Sequence, residues 1–415
     1  MLAQDKRTFP GTSTENLQET SSRWFFCILL YIFVDYGRPQ DLLPIGFLRP
    51  GMLTILLLTW FLISNSKSLR EADSRQTRRI LAFIALLAVY VPFVTNNFFA
   101  YVTTKTMLLY LPFILSTIIV VDSMERLRKI VGFIIITMVY VSLYSLGHGG
   151  QGSGNYFKDE NDLSLFINTI LPFCYFLFLY EKERLRKLGY GLAMIVGILG
   201  IVTSFSRGGF VGLIAMIAIA WLLSPRKIAA LVIICMFGLL IYYYGGARYE
   251  KEMGTISDTQ EGTAKARIES WKAAWRMFLD NPWGVGGNNF QVRFPEYQTK
   301  YFKRGMWGRV AHSLWFTLLP ELGIAGVFIY LSLLYYNLKD VFLLKKMRTD
   351  SKDDRDKEYI YYLSLAFLAS FAGYFASGTF LSVLYYPYYW YLTAILVAAR
   401  KVAIRLNYAR NAVRA

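Results

Sequence analysis

Residues 129–147 read KIVGFIIITMVYVSLYSLG. After Lys129 no charge interrupts the run. A helix of this length rises about 28 Å at 1.5 Å per residue, close to the roughly 30 Å of a bilayer's hydrocarbon core. Only a helix lets a single apolar segment satisfy its own backbone hydrogen bonds in lipid. Arg126, Arg128 and Lys129 stand at one end of the run, and the Gly-rich stretch Gly147 to Gly154 stands at the other. Comparable runs recur along the chain, which is 55% hydrophobic and 17% aromatic. They predict helices at 24–40, 44–64, 80–99, 105–121, 129–147, 161–180, 188–204, 208–223, 228–245, 312–338, 359–377 and 380–399. The boundaries at 204–208 and 377–380 read as tight hairpins. The expected fold is an all-α integral membrane protein with about 12 transmembrane helices.

The formal net charge of +17 would suggest nucleic acid in a soluble protein, but its distribution excludes that reading. If the helices alternate from a cytoplasmic N-terminus, cytoplasmic segments hold 29 of the 45 Lys and Arg. The loop at 246–311 holds eleven, and long loops obey the positive-inside rule poorly. Both termini are therefore expected in the cytoplasm, with one large periplasmic loop. The chain divides into a disordered cytoplasmic tail (1–23), a bundle of about nine helices (24–245), the periplasmic loop (246–311), about three further helices (312–400) and a basic cytoplasmic tail (401–415). The polar start lacks the cleavage pattern of a signal peptide, so the first helix is expected to be retained.

Cys27, Cys174 and Cys235 all fall in apolar runs, and the chain has two His. Neither a disulfide framework nor a zinc site is expected. Ionisable residues, the usual mark of an ion pathway, are nearly absent at mid-span. The polar chemistry gathers at the outer face instead.

In the long loop, Thr263 to Leu279 (TAKARIESWKAAWRMFL) has Ile268, Trp271, Trp275 and Phe278 on one stripe at helical spacing. Lys265, Arg267, Lys272 and Arg276 supply a basic side. Such a helix suits the headgroup level of a membrane or a lid packed on the bundle, and the sequence leaves both open. Asn281-Pro282-Trp283-Gly284-Val285-Gly286-Gly287 ends it sharply. Ser206-Arg207-Gly208-Gly209 forms an outer hairpin, where an Arg beside Gly-rich backbone N–H groups suits phosphate oxygens. Snorkelling at the interface is the plain alternative. His312 opens the helix after the loop, close to Arg309, and is the candidate general base; a capping or packing residue is the plain alternative. The other histidine, His148, sits in a Gly-rich loop and reads as chemically silent.

These residues resemble the bacterial O-antigen ligase and polymerase superfamily (WaaL- and Wzy-like). The ordered features are the Ser206-Arg207-Gly208-Gly209 hairpin, an Arg-x-x-x-Trp loop helix (Arg267 to Trp271), the Asn-Pro-Trp-Gly-Val-Gly turn at 281–286, and His312 followed by Gly323. Tyr36-Gly37-Arg38-Pro39-Gln40 and Asp159-Glu160-Asn161-Asp162, with Pro172 beyond, look similar too. The resemblance covers roughly residues 24–400. Trp271 stands where the ligase pattern often has Leu, which bears on ligase versus polymerase.

The resemblance implies a GT-C-like membrane fold and a metal-independent, inverting glycosyltransferase without a cofactor. Its donor would be an undecaprenyl-diphosphate-linked glycan at the periplasmic face of the bacterial inner membrane. Arg207 and Arg267 map to diphosphate-binding arginines and His312 to the catalytic histidine, while Arg309 lies close enough in sequence to contribute. The acceptor hydroxyl would belong to lipid A-core (ligase), a growing glycan (polymerase) or a protein Ser/Thr (O-glycosylation ligase). A rival reading is a lipid-linked-glycan flippase or transporter, which would need a cationic cavity through the bilayer. A purely structural membrane partner is a third.

Overall fold

Each apolar run forms a helix, because lipid offers no other way to satisfy its backbone. The computed structural model describes residues 12–254, 262–298, 308–348 and 354–414, and these are helices and connecting turns, with no strand among them. The helices are α1 (Thr12–Ile32), α2 (Pro50–Ser64), α3 (Arg75–Tyr90), α4 (Asn97–Val120), α5 (Met124–Gly147) and α6 (Glu160–Tyr180). Then come α7 (Arg184–Thr203), α8 (Arg207–Leu223), α9 (Lys227–Gly254), α10 (Gly262–Asp280) and α11 (Phe290–Tyr297). The last three are α12 (Leu314–Lys345), α13 (Arg355–Gly378) and α14 (Pro387–Arg414). Parts of the expected tail, of the 246–311 loop and of the loop before α13 lie outside the described residues.

Among the described residues, nine helices are long and apolar enough to cross a membrane. They account for nine of the twelve expected spans. Of the other three, Arg207–Leu223 is apolar but 17 residues long. The remaining two segments fall in α1, which passes into a π-helical turn at Phe33–Gly37, and in α14. The break at 204–208 is as tight as its residues suggest, with Phe205 at φ 54°. The break at 377–380 is not: residues 379–386 form a loop, and α14 begins only at Pro387.

Helix α6 is the hub, almost wholly buried between α7, α8 and α13. Small and polar residues permit that closeness, and helix association in lipid relies on such packing and hydrogen bonds. Asn168 Nδ2 of α6 donates to the Gly209 carbonyl of α8 at 2.7 Å, and Ser370 Oγ of α13 donates to the Thr169 carbonyl at 2.5 Å. Asn337 Nδ2 of α12 reaches Thr393 Oγ1 of α14 at 2.8 Å. Helix α9 is the opposite case, with few of residues 227–244 buried and most of them exposed to the surroundings of the bundle.

Helix α12 is broken at Gly323, whose φ of 59° and ψ of −160° are accessible only to glycine. The freed backbone groups meet the turn after α10. Val285 N–H donates to the Pro320 carbonyl at 2.9 Å, Gly286 N–H to the Glu321 carbonyl at 2.8 Å, and Ile324 N–H to the Pro282 carbonyl at 2.9 Å. Gly323 and Gly284 (φ 99°) face each other at the contact, and a Cβ on either would collide with the other's backbone. Glu321 completes the joint: its carboxylate accepts from Asn288 N–H (2.8 Å), Phe290 N–H (3.2 Å) and Tyr385 O–H (2.6 Å). The 281–290 segment is thus bolted to the bundle.

Candidate functional site

The site lies at the end of the bundle where the α7–α8 hairpin, the start of α6, α10 and the start of α12 converge. The hairpin is shaped by its own residues. Ser206 caps α8, its Oγ accepting from Gly209 N–H at 2.9 Å, as hydroxyl caps do for the first unpaired donors of a helix. Arg207 is then the first residue of α8 and is partly buried. Gly209 is small because Ser164 of α6 packs where a side chain would be. Ser206 Oγ also reaches Asn161 Oδ1 at 2.7 Å, and Asp159 Oδ1 accepts from Asn161 N–H at 2.8 Å. The hairpin is therefore tied to the acidic start of α6.

Helix α10 docks on α12 and α11 through Ala266, Ser270, Ala273, Ala274 and Met277, all buried. The expected stripe of Ile268, Trp271, Trp275 and Phe278 is not the face that packs. Trp275 is 48% exposed, and with Leu279 and Trp283 it points away from the protein. Small residues win because they let α10 lie close to α12, while the large exposed aromatics suit an interface. Of the two open readings, packing on the bundle is the one seen in the contacts of α10.

Trp271 is the exception on that stripe. Its ring stacks on Phe316 at 5.3 Å and 11°, and its Nε1 donates to the Ala311 carbonyl at 3.0 Å. That bond holds the backbone just before His312, which adopts φ 49°, an uncommon left-handed conformation for a non-glycine residue. Ser313 follows as the cap of α12, its Oγ accepting from Phe316 N–H. One turn before Trp271 on the same face of α10 is Arg267. The Arg-x-x-x-Trp spacing thus brings one residue to fix the histidine's backbone and another to bear on its ring.

His312 is partly buried, and its pKa falls to about 4. Burial is the main cause, followed by the Arg267 and Arg309 guanidiniums; Asp159 acts in the opposite sense. The Arg309 guanidinium is itself partly desolvated, which lowers its pKa, and its buried Nε has no hydrogen-bond partner among the described residues. His312, Arg267, Arg309 and Asp159 therefore form one electrostatic unit. Arg207 heads α8, and Phe380 packs against both the neighbouring Gly208 and the Trp271 ring.

His148 stays with its own helix, stacked on Tyr144 at 3.8 Å with Nδ1 against the Tyr144 carbonyl at 2.8 Å. Arg38 is committed to Asp41 at 2.6 Å, and the adjoining Gly37 carbonyl accepts from Ser153 Oγ at 3.1 Å. Among the described residues, no group of three or more His, Cys, Asp or Glu stands where it could hold a metal ion. Asp159 was visible in the sequence only as part of an acidic run; its approach to His312 needed the tertiary structure. Tyr386, hydrogen-bonded to Asp162, carried no sequence signal.

No curated protein matches the chain. Residues 192–331 match the family Wzy_C, described as O-antigen ligase. That interval runs from α7 through the Arg207 hairpin, α10 and the Gly284–Gly323 joint to the middle of α12. It contains Arg207, Arg267, Arg309 and His312, and over it this multi-pass membrane protein is similar to that family.

Proposed function

We propose that the protein is an inverting glycosyltransferase acting at the periplasmic face of the bacterial inner membrane. It moves a glycan from undecaprenyl diphosphate to an acceptor hydroxyl. The observation that carries the reading is the joint action of Arg267 and Arg309 on His312. Two cations beside one neutral imidazole suit a reaction in which an anion leaves and a hydroxyl loses a proton.

The acceptor oxygen attacks the anomeric carbon as the bond from that carbon to the diphosphate oxygen breaks. The electron pair leaves with the diphosphate, whose growing charge is stabilised by Arg207, Arg267 and Arg309 without reorganisation. The hydroxyl proton passes to His312 Nδ1 or Nε2. A pKa near 4 keeps the free histidine unprotonated at neutral pH. A bound diphosphate offsets the two guanidinium fields and raises the imidazole's basicity when a substrate is present. The transporter reading is weaker, since it calls for cationic residues through the bundle, and these arginines sit at one end.

The test is transfer by the purified full-length protein in lipid nanodiscs, with an undecaprenyl-diphosphate oligosaccharide and lipid A-core, glycan or peptide acceptors. A product of inverted anomeric configuration plus free undecaprenyl diphosphate is expected. Release of intact donor across a vesicle bilayer without cleavage would instead establish a flippase. Orientation is tested by impermeant labelling of Lys272→Cys after removal of the native cysteines. Labelling only in broken cells would sink the periplasmic site.

A further inference from the structure

A groove of about 540 Å³ runs along α12 where that helix packs beside α3. Its volume falls within the range of small-ligand sites, roughly 300–1,000 Å³. Phe278 of α10, Leu319 and Ile324 line the end nearer the site, and Phe328, Leu331 and Tyr335 continue it along one face of α12. Those last three side chains are exposed, so the groove opens on the surroundings of the bundle. The far end is built differently, from Arg79 of α3 and Tyr336. The Arg79 Cζ stands 4.6 Å from the centre of the Tyr336 ring, and the Arg75 Cζ stands 5.3 Å from it. A guanidinium held by its face keeps the N–H donors of its edge for another partner. Arg79 N–H groups reach the Arg75 carbonyl and the Tyr336 hydroxyl only at 3.5 Å, the long limit of a hydrogen bond. Neighbouring carboxylates are engaged with other groups, Asp73 with Arg78 at 2.5 Å and Asp340 with Gln76 at 2.6 Å and Arg400 at 3.2 Å.

We propose that this groove holds an acyl chain of an anionic phospholipid whose phosphate is bound by Arg75 and Arg79. The site is at the end of the bundle away from His312 and takes no part in the transfer reaction. Helix α3 runs from Arg75 to Tyr90, whose hydroxyl donates to the Trp283 carbonyl beside the Gly284–Gly323 joint, so its arginines mark the opposite end. Two cations at the mouth of an apolar groove match a lipid that is anionic at its head and hydrocarbon below it. The dimensions agree. Phe328 to Tyr335 covers about 10 Å of helix at 1.5 Å per residue, within the roughly 15 Å of one leaflet in a hydrocarbon core of about 30 Å. The tail of a lipid-linked donor fits less well. Its diphosphate lies near Arg267 and Arg309 in the proposed mechanism, so it brings no phosphate to Arg79. A second copy packed here across a two-fold axis would set its own Arg75 and Arg79 against this pair, like charge against like.

The experiment uses native mass spectrometry of the full-length protein in detergent, titrated separately with phosphatidylglycerol, with phosphatidylcholine of the same acyl chains, and with inorganic phosphate. The first equivalent of phosphatidylglycerol should bind about ten-fold or more tighter than phosphatidylcholine, given what each basic residue near a headgroup contributes. Inorganic phosphate should bind far more weakly than either lipid, because it has no chain for the groove. Arg79→Gln should weaken phosphatidylglycerol about five-fold, and Arg75→Gln with Arg79→Gln should bring it close to phosphatidylcholine. Val327→Trp, which fills the groove, should weaken both lipids about ten-fold. The thermal midpoint without added lipid reports folding of each variant, and the rim variants Arg75→Gln and Arg79→Gln carry the test if Val327→Trp does not fold. Equal affinity for the two lipids overturns the proposal, as does unchanged phosphatidylglycerol binding in the double variant or in folded Val327→Trp. Phosphate binding as tight as the lipid's would make the arginines a free-ion site and overturn it too. Displacement of phosphatidylglycerol by sub-stoichiometric undecaprenyl phosphate would assign the groove to a polyprenyl tail instead, and a dimer that forms only without lipid would assign it to a second copy.

Discussion

The two ends of the bundle use their positive charge differently. At the end away from the site, cations tie elements together across long sequence distances. Lys401 and Arg405 of α14 share Glu71 at 2.6 and 3.2 Å, Arg128 meets Asp356 at 2.7 Å, and Arg355 meets Glu181 at 3.3 Å. At the site end, local ion pairs occur among the described residues, such as Arg293 with Glu296 at 2.8 Å. There, Arg267 and Arg309 are brought to bear on one histidine. Gathering like charges around a group that cannot neutralise them is unfavourable for the free protein. Such an arrangement fits the anionic donor proposed above. The same residue types therefore tie elements together at one end and, in the proposed mechanism, serve the chemistry at the other.

The sharpest test of this contrast is His312→Ala. Removing a general base costs about 10²–10⁴-fold, so transfer measured with the purified protein should fall by at least about 10². His148→Ala should be nearly silent, because its ring is engaged with Tyr144. A chelator should leave wild-type turnover unchanged. Retention of a large part of the wild-type rate by His312→Ala would remove the histidine from the mechanism.

Arg207→Ala and Arg267→Ala should each lower kcat by about 10²–10³-fold, the cost of losing one donor to a transition-state anion. Lysine at either position should restore only part, because a point charge lacks the bidentate fork. Near-normal rates at equal membrane abundance would return both to the role of interface anchors.

Gly323→Ala tests the joint that holds the loop half of the site. Forcing a Cβ into its backbone conformation costs about 1–3 kcal/mol, and the new atom would meet the Pro282 carbonyl. A lower thermal midpoint, with faster proteolysis of the 281–290 segment than of the bundle, is the expected result. An unchanged midpoint would show that the joint is not under that constraint.

A smaller effect is expected in the pH profile. Because His312 titrates near 4, kcat/KM should hold its value down to about that pH and fall below it, as the base becomes protonated. Arg267→Gln removes a lowering charge, so the residual activity of that variant should lose its acid limb at a higher pH than wild type. An acid limb that stays in place would separate Arg267 from the histidine.

Arg128→Ala, at the opposite end, should change least. An ion pair this exposed contributes about 0–1 kcal/mol, so a shift in thermal midpoint within that range and unaltered transfer are expected. A loss of activity there would break the division of labour between the two ends.

The sequence by itself determined that the chain crosses a membrane many times, because uninterrupted apolar runs of bilayer length admit only helices. It also named Arg207, Arg267, Arg309 and His312, since cations and one of only two histidines stand out against so much hydrocarbon. Three glycines and a proline in 281–287 announced a sharp turn. Only the tertiary structure decided what those signals were for. The turn proved to be one half of a backbone clamp whose other half, Gly323, lies far along the chain in a segment that reads as ordinary helix. The aromatic stripe of α10 gave way to small residues as its packing face, because close approach between helices outweighs the area of a tryptophan that can lie in the interface instead. His312 has an ordinary pKa on paper. Burial and two guanidiniums that approach it in space from α10 and the 308–311 segment lower it to about 4, and spatial proximity of that kind is not written in any one stretch of sequence.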